Sequence, residues 1–316
     1  MCKISLSRFV LSGLVLTVYA CGTDQPEPSD ASAEVAGETT EETAGETPPA
    51  SPTTTRYLVA LDTMGFGVEI EPGVAPGFDL DNRISKADDE TSCGHEDYIS
   101  PEGTPGIDNQ LASIAPLFDL FGIGAAETLI QNAIDEGGLL LLLQIDGVDD
   151  LQNDSEVIVT LRAGHGIPLL GTDGLLLSGQ TFHLHPDTPD DRAEIASIEE
   201  GVLEAGPFAA TLPIVVFGIQ YELVVEDARL RAVWTEEKGL VSGVFGGQVS
   251  LETLYTIGET AAMDDGSVLP AIRAVFQGAG DMAQDEDGAC QAVSAALVFT
   301  GVSAFFFPDE DVSIQP

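Results

Sequence analysis

From residue 139 onward the chain alternates short apolar runs with clusters of Gly, Asp and Pro, the punctuation of strands and turns. Leu139 to Ile145, Val157 to Leu161, Gln180 to Leu184 and Ile214 to Val225 each predict strand. Between Leu223 and Trp234 apolar residues interleave with Arg229 and Arg231, which predicts a half-exposed strand pairing antiparallel with Leu240 to Val249. Gly243, Gly246 and Gly247 within that partner mark bulges or close backbone approach. Val293 to Phe307 reads as a central strand, and Tyr57 to Leu61 as a buried strand that opens the folded part. Helical spacing occurs at Leu111, Ile114, Ala115 and Phe118 after a cap at Asp108-Asn109, and again at Leu129, Ala133 and Ile134 before Gly137-Gly138. Leu251 to Ile257 and Leu269 to Phe276 predict two further short helices. Residues 56–316 are therefore expected to form a single mainly β domain. Its body is an antiparallel β-sandwich or jelly-roll-like fold with a few inserted helices, and an α+β arrangement is the alternative. No repeat of fixed period suggests a solenoid or propeller.

The first 20 residues have a different grammar. Lys3 and Arg8 precede an apolar stretch from Phe9 to Tyr19, and Ala20-Cys21 follows, which predicts a secretory signal peptide over residues 1–20. A small residue directly before Cys21 resembles the lipobox of bacterial lipoproteins, so Cys21 is the expected lipidation site. The apolar stretch falls short of the roughly 20 residues that a spanning helix needs. Residues 21–55 then run in Thr, Glu, Ala, Pro, Ser and Gly with acidic charges only. Such a segment cannot bury a core and predicts an extended, disordered stalk. Gly22, in place of an Asp after the lipidated cysteine, points to the outer membrane as the address.

Charge narrows the partners. Against 53 Asp plus Glu stand 11 Lys plus Arg, a formal net charge of −42, which repels phosphate backbones and anionic headgroups. Nucleic acid is not an expected partner, and contact with the membrane is expected through the lipid anchor alone. The phosphate-loop, H-E-x-x-H and G-x-S-x-G motifs are absent, as are paired C-x-x-C sets, so no motif assigns catalytic residues.

With Cys2 in the signal and Cys21 lipidated, Cys93 and Cys290 are the cysteines left, and in an oxidising compartment they are expected to pair. A bridge across so long a loop restricts the unfolded chain by about 4 to 5 kcal/mol in the loop-entropy account. Both cysteines lie in acidic, glycine-containing loops. Asp79, Asp81, Asp97, Asp108 and Asn109 surround the first, and Asp285 and Asp287 precede the second. Alternating carboxylates near turns suit a hard cation that takes six to eight oxygens, so these seven residues form a candidate composite Ca²⁺ site. Neither loop has the twelve-residue helix-loop-helix pattern. A second candidate is His183-Leu184-His185, whose imidazoles would share a strand face near Asp187, Asp190 and Asp191, with His165 elsewhere in the sheet region. That set would suit Zn²⁺.

The segment Gly77-Phe78-Asp79-Leu80-Asp81, continuing through Ser92-Cys93-Gly94-His95-Glu96-Asp97 to Pro105-Gly106-Ile107-Asp108-Asn109-Gln110, resembles a signature of uncharacterised bacterial surface lipoproteins. The stretch from Cys290 to Ala304 is similar to their closing strand. The resemblance implies an extracytoplasmic compartment and one undivided domain, and it brings no catalytic residues. The expected protein is thus a lipid-anchored envelope protein, not an enzyme, that displays an acidic, calcium-stabilised domain for binding or structural work. The alternatives are a secreted metal-dependent hydrolase and an envelope carrier of small ligands.

Overall fold

A computed structural model of the 316-residue chain describes residues 55–117, 126–185, 188, 191–216, 219–235, 240–261 and 269–307. The signal, Cys21 and the stalk up to residue 54 lie outside the described residues, as do Phe118, Asp187 and Asp190, whereas Thr55, expected as the end of the stalk, opens β1. By its internal contacts the chain divides into residues 1–49 and 50–316, and every described element belongs to the second unit.

That unit is mainly β with inserted helices, the class expected from the alternation of apolar runs and turns. The opening run forms β1 (Thr55–Phe66). A loop lobe follows that carries the two-stranded ribbon β2 (Tyr98–Ile99) and β3 (Pro105–Ile107). Next come α1 (Leu111–Ile114) and α2 (Ala126–Asp135), then β4 (Leu141–Val148), β5 (Asn153–Asp154), β6 (Ile158–His165) and β7 (Gln180–Leu184). Short strands β8 (Asp191–Ala193) and β9 (Ala196–Glu199) lead into the long β10 (Val202–Val216), β11 (Ile219–Thr235) and β12 (Leu240–Ser250). The chain ends with α3 (Leu251–Ala261), α4 (Leu269–Gly278), β13 (Met282–Gln284) and β14 (Cys290–Phe306).

Twelve of these strands join one mixed sheet. Its hydrogen bonding returns to its start: β1 pairs β4, β4 pairs β6 and β6 pairs β8, while β9 pairs β10, β10 pairs β11, β11 pairs β12, β12 pairs β14 and β14 pairs β1. All of these ladders are antiparallel. The β8–β9 stretch serves as one member, bonded to β6 through its first half and to β10 through its second. β7 adds the one parallel ladder among the described residues, Gln180 beside Ala304, where the end of β14 runs past β12.

A ring of about eight strands has an interior only wide enough for side chains. One core cluster fills it, drawing Val59 from β1, Leu143 from β4, Val159 from β6, Leu212 from β10, Leu230 from β11, Val241 from β12 and Phe299 from β14. A residual cavity of about 10 Å³ lies among Tyr57, Ile145, Leu203, Trp234 and Val241, room for no more than about one water.

Two sequence expectations need correcting. The unbroken run from Ile214 to Val225 is two strands, because β10 ends at Val216 and β11 begins at Ile219, with Val216 and Ile219 paired across the turn. In the sequence only Gly218 punctuates the apolar residues between Val216 and Ile219. Asp108-Asn109 does not cap α1. Gln110 occupies that position without a side-chain cap, because the Asp108 and Asn109 side chains are used within the lobe.

Candidate metal centre

The loop lobe between β1 and α1 holds its position through Asn109, which is 1% exposed. Its Nδ2 donates to the Gly67 carbonyl at 2.6 Å and to the Pro76 carbonyl at 2.7 Å, and its Oδ1 accepts from the Ala296 N–H of β14 at 3.2 Å. Both amide hydrogens and the oxygen are thus engaged in holding three chain segments together. Asn109, expected as a ligand, is instead the pin that locates the others.

Asp108 follows from this placement. Its Oδ2 accepts from the Leu80 N–H at 2.6 Å, and its backbone N–H donates to the Phe78 carbonyl at 2.9 Å. Those two bonds bring the strand-like Phe78–Asp81 segment against β3. Asp79, Asp81 and Asp108 can then each offer one carboxylate oxygen within 4.8 Å of the others, and they are the one such set of three among the described residues. Asp79 Oδ1 is shielded from solvent and has no hydrogen-bond partner. Gly106 beside them has φ +84°, and a Cβ there would meet the Arg83 carbonyl at 2.8 Å and lie 3.6 Å from Asp79 Oδ2. The bare glycine backbone lets the two sides of the lobe close.

Two further carboxylates extend the cluster electrostatically. Asp97 Oδ2 accepts from the Ser85 N–H at 2.6 Å, and its pKa is raised by burial and by the charges of Asp81 and Asp79. Asp281, 7% exposed, accepts from the Ser294 N–H at 2.7 Å and from the Ser294 hydroxyl. Burial drives the Asp281 pKa up to about 7, with Asp97 adding to the rise. Asp108 is pushed up to about 8, first by burial and then by the charges of Asp81, Asp97 and Asp281, against the opposing Leu80 hydrogen bond. Arg83 is the cation at the rim: its Nε and Nη2 reach Asp81 Oδ2 at 3.0 and 2.8 Å. Burial and mutual repulsion both oppose charging these acids, and either a proton or a cation relieves the strain.

Asp285 and Asp287 stand apart from this centre. Asp285 Oδ1 accepts from the Asp287 N–H at 3.0 Å and the Ala289 N–H at 2.9 Å, and its Oδ2 accepts from Gln291 Nε2 at 2.7 Å. The Asp285 side chain thus shapes the turn that delivers Cys290. Asp287 lies with Asp88, Asp89 and Glu90 on an open groove beside Cys93. The sulfurs of Cys93 and Cys290 are 2.05 Å apart, so the acidic lobe is joined to the first residue of β14.

The histidine pair has a different setting. His183 stacks on Phe307 with ring centroids 3.9 Å apart, and it pairs across the ladder with His165, while His185 meets the His165 ring at 6.0 Å. Asp191 accepts from the Thr211 N–H at 2.5 Å, which ties β8 to β10. Among the described residues no set of three metal-ligating side chains converges here.

Asp281 and Ser294 escape a sequence reading, because the acid belongs to a cluster only after β13 and β14 fold back. The faint signal is Gly280-Asp281 immediately before a strand. No family model, curated protein or solved structure matches the chain.

Proposed function

We propose that this protein is a lipid-anchored envelope protein, tethered at Cys21 and addressed to the outer membrane, whose acidic β domain is stabilised by one Ca²⁺ held at Asp79, Asp81 and Asp108. The supporting observations are the convergence of one carboxylate oxygen from each of Asp79, Asp81 and Asp108 within 4.8 Å, and the solvent-shielded, unpartnered Asp79 Oδ1. Oxygen-only ligands on loops that can adjust suit a large, hard cation better than a softer metal that seeks nitrogen or sulfur. A cation there would neutralise the repulsion among Asp79, Asp81, Asp97 and Asp108 and clamp the lobe against β14. In this reading the carboxylates serve binding or structural display, with the Cys93–Cys290 bridge joining their lobe to β14.

The test is thermal unfolding of chelated protein in millimolar Ca²⁺ and in NaCl of matched ionic strength, so that screening is separated from binding. A cation bound by the folded state alone at one hundred times its Kd stabilises by about 2.7 kcal/mol. Wild type should melt higher in Ca²⁺, and Asp79→Asn with Asp81→Asn should not. Identical melting of wild type in the two salts would remove the site. Incorporation of a labelled fatty acid into wild type and not into Cys21→Ser tests the anchor separately.

A further inference from the structure

The connection between β6 and β7 exposes a run of large aliphatic side chains on an ordered frame. Ile167 is 83% exposed, Leu169 65% and Leu177 46%, with Leu170 and Leu175 also exposed. The exposure does not come from fraying. Leu170 and Leu176 bridge antiparallel, the Gly171 N–H donates to the Leu175 carbonyl at 2.8 Å, and the Leu177 N–H donates to the Leu169 carbonyl at 3.0 Å. The Gln180 side chain closes the base, accepting from the Leu169 N–H at 2.6 Å and donating to the Leu177 carbonyl at 2.7 Å. Leu176 turns inward and joins the barrel core. Its exposed neighbours are thereby held outward.

Charge marks the same segment. In a chain of net charge −42, Asp173 is the one charged residue between Gly166 and Phe182. The patch continues onto Phe305 of β14, 58% exposed and in register with Thr181. Strand register fixes which end of the barrel this is. Leu58 pairs with Ala304, which also pairs with Gln180, so the start of β1, the 166–179 connection and Phe305 share one end. The acid centre is bound to β14 at Ser294 and Ala296, toward the other end. At about 3.3 Å per residue the two regions stand roughly 30 Å apart along that strand.

We propose that this apolar end docks on the surface of an uncharged lipid bilayer, with Ile167, Leu169 and Leu177 entering the headgroup-acyl boundary. β1 begins at this end, and the inference rests in part on the lipid-anchor reading. An exposed aliphatic patch whose segment carries a single charge, Asp173, is the kind of surface that partitions into an interface. A second copy of the chain is disfavoured as occupant because it carries the same −42. Anionic lipid is disfavoured for the same reason. Docking here would turn the acid centre away from the membrane.

The test uses the chain from Gly22 onward, which lacks the signal and Cys21 yet keeps the whole 50–316 unit. The probe is sucrose-loaded phosphatidylcholine vesicles, and the readout is the fraction that sediments with them. The parent chain should partition onto vesicles, and Ile167→Asp with Leu169→Asp should lower the partition coefficient by at least about tenfold. Val224→Asp, at an exposed apolar position on β11, should leave it unchanged. An unaltered melting temperature in each variant shows that the fold is retained. No sedimentation of the parent, or equal sedimentation of parent and double variant, overturns the proposal. So does a concentration-dependent dimer, without vesicles, that the double variant abolishes, which would make the patch a contact between copies. Because this chain cannot be acylated, its vesicle binding is independent of the Cys21 labelling result, and the two readings fail separately.

Discussion

Ser294 holds Asp281 by both of its donors: its N–H reaches Oδ1 at 2.7 Å and its hydroxyl reaches Oδ2. The same Ser294 hydroxyl oxygen accepts from the Gln110 N–H at 2.7 Å, so one buried side chain of β14 links Asp281, just before β13, to the start of α1. Ser294→Ala leaves Asp281 with the backbone donor alone and Gln110 without its acceptor. The expected loss is about 1–3 kcal/mol of unfolding free energy, read by urea denaturation. Asp281→Asn, which keeps the size and removes the charge, should cost less.

Asn109→Ala removes two donors and one acceptor from a fully buried position, which orphans the Gly67 and Pro76 carbonyls and the Ala296 N–H. A loss of roughly 2–4 kcal/mol is expected. Asn109→Asp should be comparably damaging, since a carboxylate cannot donate to the two carbonyls. Retention of wild-type stability in either variant would show that Asn109 is not the pin of the lobe.

The pH dependence of the cation-free protein follows from Asp108 and Asp281, whose folded-state pKa values stand at about 8 and about 7 against an ordinary 3.8. Folded carboxyls that hold their protons to higher pH contribute stability that is complete below the ordinary value and lost as pH rises through the folded values. Chelated protein should therefore lose on the order of 1–3 kcal/mol between pH 5 and pH 9, followed by melting temperature. Asp108→Asn should flatten that slope. Added Ca²⁺ should raise the melting temperature more at pH 8 than at pH 5, because protons compete for the same oxygens.

Replacing Cys93 and Cys290 together by Ser frees a separation of 197 residues in the unfolded chain. Such a change costs about 2–5 kcal/mol and should lower the urea midpoint accordingly. If the lobe depends on the bridge for its position, Ca²⁺ stabilisation weakens in the same variant, which a calcium titration of the melting temperature would reveal.

The strands were legible where apolar runs met polar punctuation. Gln180–Leu184 forms β7 with the expected bounds, and Leu251 and Leu269 begin helices as their spacing suggests. The break between β10 and β11 was not legible, because Gly218 alone interrupts the apolar sequence there. The candidate site was legible in part, since Asp79, Asp81 and Asp108 lie in one loop segment whose turns bring them together locally. Asp285 could not be separated from them by sequence: alternating acids look alike whether they face a cation or, as here, accept from backbone N–H groups two and four residues on. Asn109 carries the same lesson, because an amide can ligate through oxygen or clamp through nitrogen, and only the carbonyls around it decide.

The strand that joins the first strand to the twelfth is also the last one made. β14 lies between β1 and β12, so a chain made from its N-terminus cannot seal its barrel until Phe306 has emerged. Everything before Cys290 can pair only as an open sheet whose β1 and β12 lack a neighbour, and Cys93 waits for its thiol partner until Cys290 is made. Contacts this distant along the chain make closure slow. A truncation before Cys290 should therefore yield not a slightly shortened domain but an open sheet with two unpaired edges, the kind of template that recruits further strands into aggregates.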